Sequence, residues 1–137
     1  MKRKPMQVTV EAIFKAAGKL EAYNEAISTN CANGRVGISL DNDPYMTLAV
    51  EVMTGANGIA EVSVAHYFDF NGDAGRDPEI VFRADCWLPV ELTMDKLGRF
   101  IRVEHGRYIS SATGLANVWA RNIREQGFID VAKEQAQ

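Results

Sequence analysis

Six short segments between residues 35 and 103, in which apolar and polar residues alternate, constrain the fold more than any other feature. Alternation with a period of two places the apolar side chains on one face of a β-strand. Turn-forming clusters such as Gly55-Ala-Asn-Gly58 separate the segments, and no helical pattern interrupts them. The sequence therefore predicts an antiparallel, meander-like sheet of about six strands.

Helical spacing is confined to the two ends of the chain. Val10, Ile13 and Phe14 form an apolar stripe, which predicts a helix over residues 9–28 with Thr9 as its N-cap. Gly18 either ends a first helix or is tolerated inside a longer one. A second stripe, which includes Trp119, predicts a helix that begins at residue 110 or 111 and ends at Gly127.

The fold class that follows is α+β, in which an N-terminal and a C-terminal helix pack on one face of the sheet. A chain of 137 residues is expected to form a single domain. Residues 1–8 and 129–137 are predicted to be tails, the latter as a polar segment or frayed helix.

Charge and cysteine content narrow the functional classes. The formal net charge of −3 argues against a dominant phosphate-binding surface, so direct nucleic-acid binding is not expected. Neither the two cysteines nor the two histidines have zinc-site spacing, and no cofactor is predicted. The N-terminus lacks a secretory h-region and no stretch is long and apolar enough for a membrane span, so we expect a cytoplasmic protein.

Residues 66–82 concentrate the unusual side chains. Within it, residues 69–79 are predicted to be a loop between two strands, with Asn71-Gly72 and Asp77-Pro78 as turn signals. In a purely structural interpretation, its Asn and Asp side chains cap backbone N–H groups and Arg76 pairs with an acid. The candidate binding residues are Asn71, Asp73, Arg76, Asp77 and Glu79, together with His66 just upstream.

A second interpretation of the same stretch is a metal site. Asp69, Asn71, Asp73 and Asp77 occupy relative positions 1, 3, 5 and 9 of an EF-hand-like loop, and their oxygen ligands favour Ca²⁺ or Mg²⁺ over zinc. The match fails at position 6, where a glycine is needed, and at position 12, where a glutamate is needed.

Catalytic and nucleic-acid motifs are weaker. Neither a nucleophile motif nor a phosphate loop is present, and His66 falls on the apolar face of its predicted strand, which is typical of a core histidine. Basic residues at Lys2–Lys4 and in the run Arg99–Arg107 could contact nucleic acid, but solvated surface residues are the favoured interpretation.

Several motifs together resemble a bacterial family of domains of unknown function. The motifs are His66-Tyr67, Asn71-Gly72-Asp73, Asp77-Pro78-Glu79, Phe82, Leu88-Pro89-Val90, Leu97-Gly98, Trp119-Ala-Arg-Asn122 and Gln126-Gly127-Phe128. The resemblance covers residues 9–128. Because members of that family are met on plasmids, conjugative elements and phages, it implies a mobile-element accessory protein and supplies no catalytic residues.

The leading hypothesis is a non-enzymatic protein that binds a protein partner and inhibits a host defence complex, as anti-CRISPR proteins do. A small acidic protein can occupy a positively charged nucleic-acid channel. The alternatives are a metal-dependent enzyme centred on the 66–79 stretch and a nucleic-acid-binding accessory protein. A homodimer is compatible with the sequence.

Overall fold

The computed structural model describes residues 3–104 and 106–137, except for the side chain of Phe70. It contains a six-stranded sheet and four α-helices, and the predicted α+β class is confirmed. In chain order the elements are α1 (Pro5–Ala16), α2 (Leu20–Ser28), β1 (Val36–Leu40), β2 (Thr47–Thr54), β3 (Ala60–Phe70), β4 (Asp73–Arg83), β5 (Pro89–Met94), β6 (Arg99–Arg102), α3 (Ser110–Glu125) and α4 (Phe128–Gln135), with a short 3₁₀ turn over Asp95–Leu97.

The sheet is a simple antiparallel meander. Its spatial order is β1-β2-β3-β4-β5-β6, so each strand pairs with the next one in the chain. One row of paired residues crosses the sheet from Val50 through Val64 and Ile80 to Leu92, and all four side chains are buried. The alternation in sequence and this register together place the apolar side chains on one face.

The helices cover that apolar face. Helix α1 contacts each of the other three helices, while α2, α3 and α4 contact strands. The core cluster combines helical side chains such as Phe14 and Ile123 with the inward-facing side chains of the strands. Ala65 and Val81 face the other way and are outside this cluster although they are buried. Among the described residues, the second face of the sheet therefore has no helix packed on it.

The N-terminal helix differs from the prediction in its start. Helix α1 begins at Pro5 and not at Thr9, because proline fits the first helical position, where its missing N–H is not needed. Thr9 lies inside the helix and is fully buried. The helical segment is interrupted at Gly18, whose φ of +73° is left-handed and suits glycine, and α2 begins at Leu20. Most of residues 3–8 are thus helix and not tail.

Residues 129–135 are helix, as one of the two expectations had it, but this helix is packed on the core and is not a tail. Helix α3 ends before Gly127, which has a φ of +85°, and α4 starts immediately afterwards. Phe128 and Ala132, one helical turn apart, are fully buried and anchor α4 on the core. No helix in the described part of the chain has the length and apolarity needed to cross a membrane.

The central stretch is a β-hairpin and not a loop. Strands β3 and β4 are both eleven residues long, and pairing continues to Phe70 and Asp73. Asn71 and Gly72 have φ values of +54° and +91°, which is the geometry of a two-residue hairpin turn. Pro78 is accommodated because the register shifts beside it, where strand prolines are usually found.

Candidate functional site

The uncovered face of the sheet carries an unusual concentration of charge for a strand surface. The register aligns Ser63, Val81, Glu91 and Arg102 in one row, and Ala65, Glu79 and Thr93 in the next. Several polar side chains of this face are buried although no helix covers them: Glu61, Ser63, Glu79 and Thr93. We call this surface, formed by β3–β6 and the residues that follow β5 and β6, the acidic sheet face.

Arg102 organises one half of the acidic sheet face. Its guanidinium donates to both carboxylate oxygens of Glu61, at 2.8 and 3.1 Å, although Glu61 is on β3 and Arg102 is on β6. It also donates to Glu104 at 2.7 Å and lies 3.6 Å from Glu91. The long side chain therefore lies across the intervening strands, which explains how it shields Glu61 from solvent.

Arg76 organises the other half. Its Nη1 donates to Glu79 at 3.0 Å, and its backbone N–H donates to Asp95 at 2.8 Å. Glu79 in turn accepts a 2.5 Å hydrogen bond from the Ser63 hydroxyl. These bonds satisfy the buried Glu79 carboxylate and fix the Arg76 side chain, as is expected where a charge is shielded from water.

The acidic sheet face has an excess of negative charge. The two networks contain only two guanidinium groups but five carboxylates, from Glu61, Glu79, Glu91, Asp95 and Glu104. Arg83, which lies opposite Glu61 on the same face, pairs with Asp85 and leaves this excess unchanged. Burial, followed by repulsion from Glu79, raises the pKa of Glu91, and the positive charge of Arg102 offsets part of this effect. The arrangement can therefore accept hydrogen bonds and positive charge from a partner.

The structure separates the residues that the sequence grouped together. Arg76 and Glu79 lie on the acidic sheet face. Asn71 and Asp73 lie at the exposed tip of the hairpin, where the Asp69 carboxylate accepts a hydrogen bond from the Gly72 N–H. Asp77 pairs instead with Lys96, at 3.6 Å.

His66 faces the helices. It is buried between the aromatic rings of Trp119 and Phe128, with ring centroids 5.4 and 5.7 Å away. Its Nδ1 lies 3.2 Å from the Met46 carbonyl oxygen. Since that oxygen can only accept, Nδ1 carries the hydrogen. Burial lowers the pKa of His66 despite the nearby carbonyls and Asp77, so the ring is favoured in its neutral form. It does not join the carboxylates of the acidic sheet face.

The four residues of the EF-hand-like spacing lie in the β3–β4 hairpin and not in a loop between helices: Asp69, Asn71, Asp73 and Asp77. Within the described ranges, no three His, Cys, Asp or Glu side chains are grouped as metal ligands would be. The acids that do cluster, on the acidic sheet face, are already bonded to arginines.

The residues of the basic run Arg99–Arg107 do not form one surface. Arg102 is held by carboxylates, whereas Arg99 is exposed on β6. Lys2 and His105, which belonged to the two predicted basic segments, lie outside the described residues.

Sequence reasoning did not identify Glu61, Glu91, Asp95, Arg102 or Glu104 as site residues. Glu61 and Glu91 each occupy a polar position in an alternating strand, which is a signal that the side chain avoids the core. The strand register brings these residues together. Glu61 lies 30 positions before Glu91 and 41 positions before Arg102, and the three become neighbours only after the meander forms.

The fold and the site define a helix-backed antiparallel meander whose second face is acidic and uncovered in the described part of the chain. A model of the domain of unknown function DUF6908 matches residues 8–129. The chain belongs to this family, and the predicted membership in a family of domains of unknown function is confirmed. No curated protein and no solved structure gives a significant match.

Proposed function

We propose that the protein is a non-enzymatic binding protein that attaches through its acidic sheet face to a positively charged surface of a protein partner. The observation that carries this proposal is the excess of six carboxylates over three guanidinium groups in the ion pairs of Arg76, Arg83 and Arg102, on a sheet face without a helix over it in the described part of the chain. Complementary charge speeds encounter and selects against partners of like charge.

The networks also keep this face in a fixed shape before binding. Arg102 and Arg76 each contact at least two carboxylates, so the acids lose little further freedom when a partner arrives. Preorganisation of this kind reduces the entropic cost of association.

The resemblance to families on plasmids and phages gives this proposal a setting. A host defence complex in the bacterial cytoplasm is a partner of this kind, because its nucleic-acid channel is strongly basic and an acidic protein can block it. The protein is then an accessory factor of a mobile element that protects the element from its host.

An affinity pull-down from a bacterial lysate with mass spectrometry tests the proposal. Ala49→Arg places a long cation on β2 beside Ala65, on the uncovered face. Ser111→Arg places the same side chain at an exposed position of α3 and is the matched control. We expect wild type and Ser111→Arg to capture one partner in stoichiometric amount, and Ala49→Arg to lose it.

A third variant separates the sheet face from the hairpin tip. Asp73→Ala/Asp77→Ala removes two acids of the hairpin without touching the networks of Arg76 and Arg102, and it should keep the partner. Capture by a folded Ala49→Arg variant, or loss only in the hairpin variant, would contradict the assignment of the binding face.

A further inference from the structure

A groove of about 750 Å³ runs between helices α1 and α3, on the side of the molecule away from the acidic sheet face. Leu88 and Tyr108 line it from the connections that precede β5 and α3. Its volume is within the range of small-ligand sites. We call it the basic groove, because its charged lining residues are Arg3, Lys4, Arg121 and Arg124.

Of the four cations of the basic groove, only Arg3 has a described carboxylate partner. No carboxylate is among its lining residues in the described part of the chain. Arg3 pairs with Glu11, which lies outside the lining. No described carboxylate oxygen lies within 4 Å of the side-chain nitrogens of Lys4, Arg121 or Arg124. The acidic sheet face is different, since its arginines are surrounded by acids.

Two features prepare this groove for an anion. Arg124 is held in place because its Nε donates to the Thr9 hydroxyl at 2.8 Å, and no described group occupies its Nη hydrogens. Helix α1 also begins at the groove, with Lys4 as N-cap and no acid in its first turn. The positive end of a helix dipole and a fixed guanidinium both favour phosphate.

The rest of the lining is suited to a planar apolar group. Pro5, Val8, Leu88 and Ala120 give the groove an apolar floor. Tyr108 is 47% exposed, so its ring is accessible for a nucleobase to stack on. A bare phosphate would leave this apolar surface unused, and an acidic peptide would not require the aromatic ring.

We propose that the basic groove binds a nucleotide, with its phosphate on Lys4, Arg121 and Arg124 and its base against Tyr108. The bound nucleotide is either a free molecule or one unit of a single-stranded nucleic acid, because both present the same phosphate and base to the groove. The proposal does not depend on the function proposed for the acidic sheet face, which is a separate surface.

Binding of a fluorescein-labelled ten-residue oligothymidylate, followed by anisotropy over a salt titration, tests the proposal. Arg121→Ser/Arg124→Ser should weaken binding at low salt by at least tenfold and reduce the salt slope by about 1.4, since each contact with a single strand contributes about 0.7. Arg99→Ser removes an exposed cation outside the groove and should change neither the affinity nor the slope. If the double variant fails to fold, Arg121→Ser alone should reduce the slope by about 0.7.

Competition identifies the ligand. Tyr108→Leu should weaken binding of thymidine monophosphate but not of inorganic phosphate. Much tighter binding of the oligonucleotide than of thymidine monophosphate indicates a strand, and equal affinities indicate a free nucleotide. The proposal is overturned if nothing binds at low salt, if polyglutamate of equal charge competes as well as the oligonucleotide, or if Arg99→Ser weakens binding as much as the groove variants.

Discussion

Replacing Arg102 with methionine should lower the free energy of unfolding by about 2–3 kcal/mol at pH 7. The side chain of Arg102 is 22% exposed and that of Glu61 is 11% exposed, so this ion pair is close to the buried limit. Removing one partner from a buried pair costs about 3–5 kcal/mol, and exposed pairs are worth about 0–1 kcal/mol. Methionine retains most of the apolar stem, so the loss reports on the charge contacts.

The decrease in the free energy of unfolding caused by Arg102→Met should become smaller as the pH falls. Burial raises the pKa of Glu91, and Arg102 counteracts this shift, so its removal raises that pKa further. An acid whose folded pKa is raised destabilises the folded state while it is charged, at pH values above that pKa. Protonation therefore restores stability as the pH falls through the folded pKa.

Urea denaturation at pH 7.5 and pH 5 measures both effects, with Arg35→Met as the control. Arg35 pairs with Glu51 on the same face at 2.7 Å, but their side chains are 64% and 51% exposed. The control should lose less than about 1 kcal/mol at either pH. An equal loss of stability in the two variants, or a loss in Arg102→Met that grows towards pH 5, would show that Arg102 is not stabilised by its shielded carboxylate partners.

Three further predictions concern other parts of the molecule. Glu91→Gln should be at least as stable as wild type in urea at pH 7.5, with the difference shrinking as the pH is lowered, because the variant has no charge to bury; a clear loss of stability at pH 7.5 would count against this. An NMR titration of the His66 ring should give a pKa below its ordinary value of 6.5. Wild type should lose stability as the pH falls from 6.5 through the folded pKa, and His66→Phe should lose less over the same range. A pKa above 6.5 would show that burial does not dominate. Gly72→Ala should destabilise by about 1–2 kcal/mol because of its left-handed backbone, although a Cβ there meets no atom within 4 Å, whereas Gly114→Ala in α3 should stabilise by up to about 1 kcal/mol; thermal melts that show the same sign for both would contradict this.

Local patterns were sufficient to predict much of the fold. Strict alternation in the segments that became β2 and β3 predicted strands, because the core needs one apolar face and the partner strands fix the register. The left-handed Gly127 at the end of α3 was predicted from the freedom of glycine at positive φ, whereas the break at Gly18 was one of two alternatives that the local pattern left open. The hairpin at Asn71-Gly72 was missed because a dense set of acids was interpreted as a loop, whereas exposed strand ends tolerate such side chains.

The candidate site was less predictable, since its contacts are not local. Arg102 reaches Glu61 across three strand pairings, and no spacing in the chain encodes that distance. His66 shows the opposite case. Its place on the apolar face of the strand was visible in the alternation, but its aromatic neighbours Trp119 and Phe128 come from the C-terminal helices. The basic groove likewise joins α1 and α3, which are separated by the whole sheet in sequence.

Site-specific photo-crosslinking in bacterial cells tests the central claim most directly. A benzoylphenylalanine at position 49 lies on β2 opposite Ala65, next to the acidic sheet face and on the same side of the sheet. The same group at Val118, which is 53% exposed, faces outward from α3. We expect one discrete protein adduct from position 49, which disappears when Glu91 and Glu104 are both changed to lysine in a variant that still folds. A discrete adduct from position 118 with none from position 49 would show that the partner binds the helices and not the acidic sheet face.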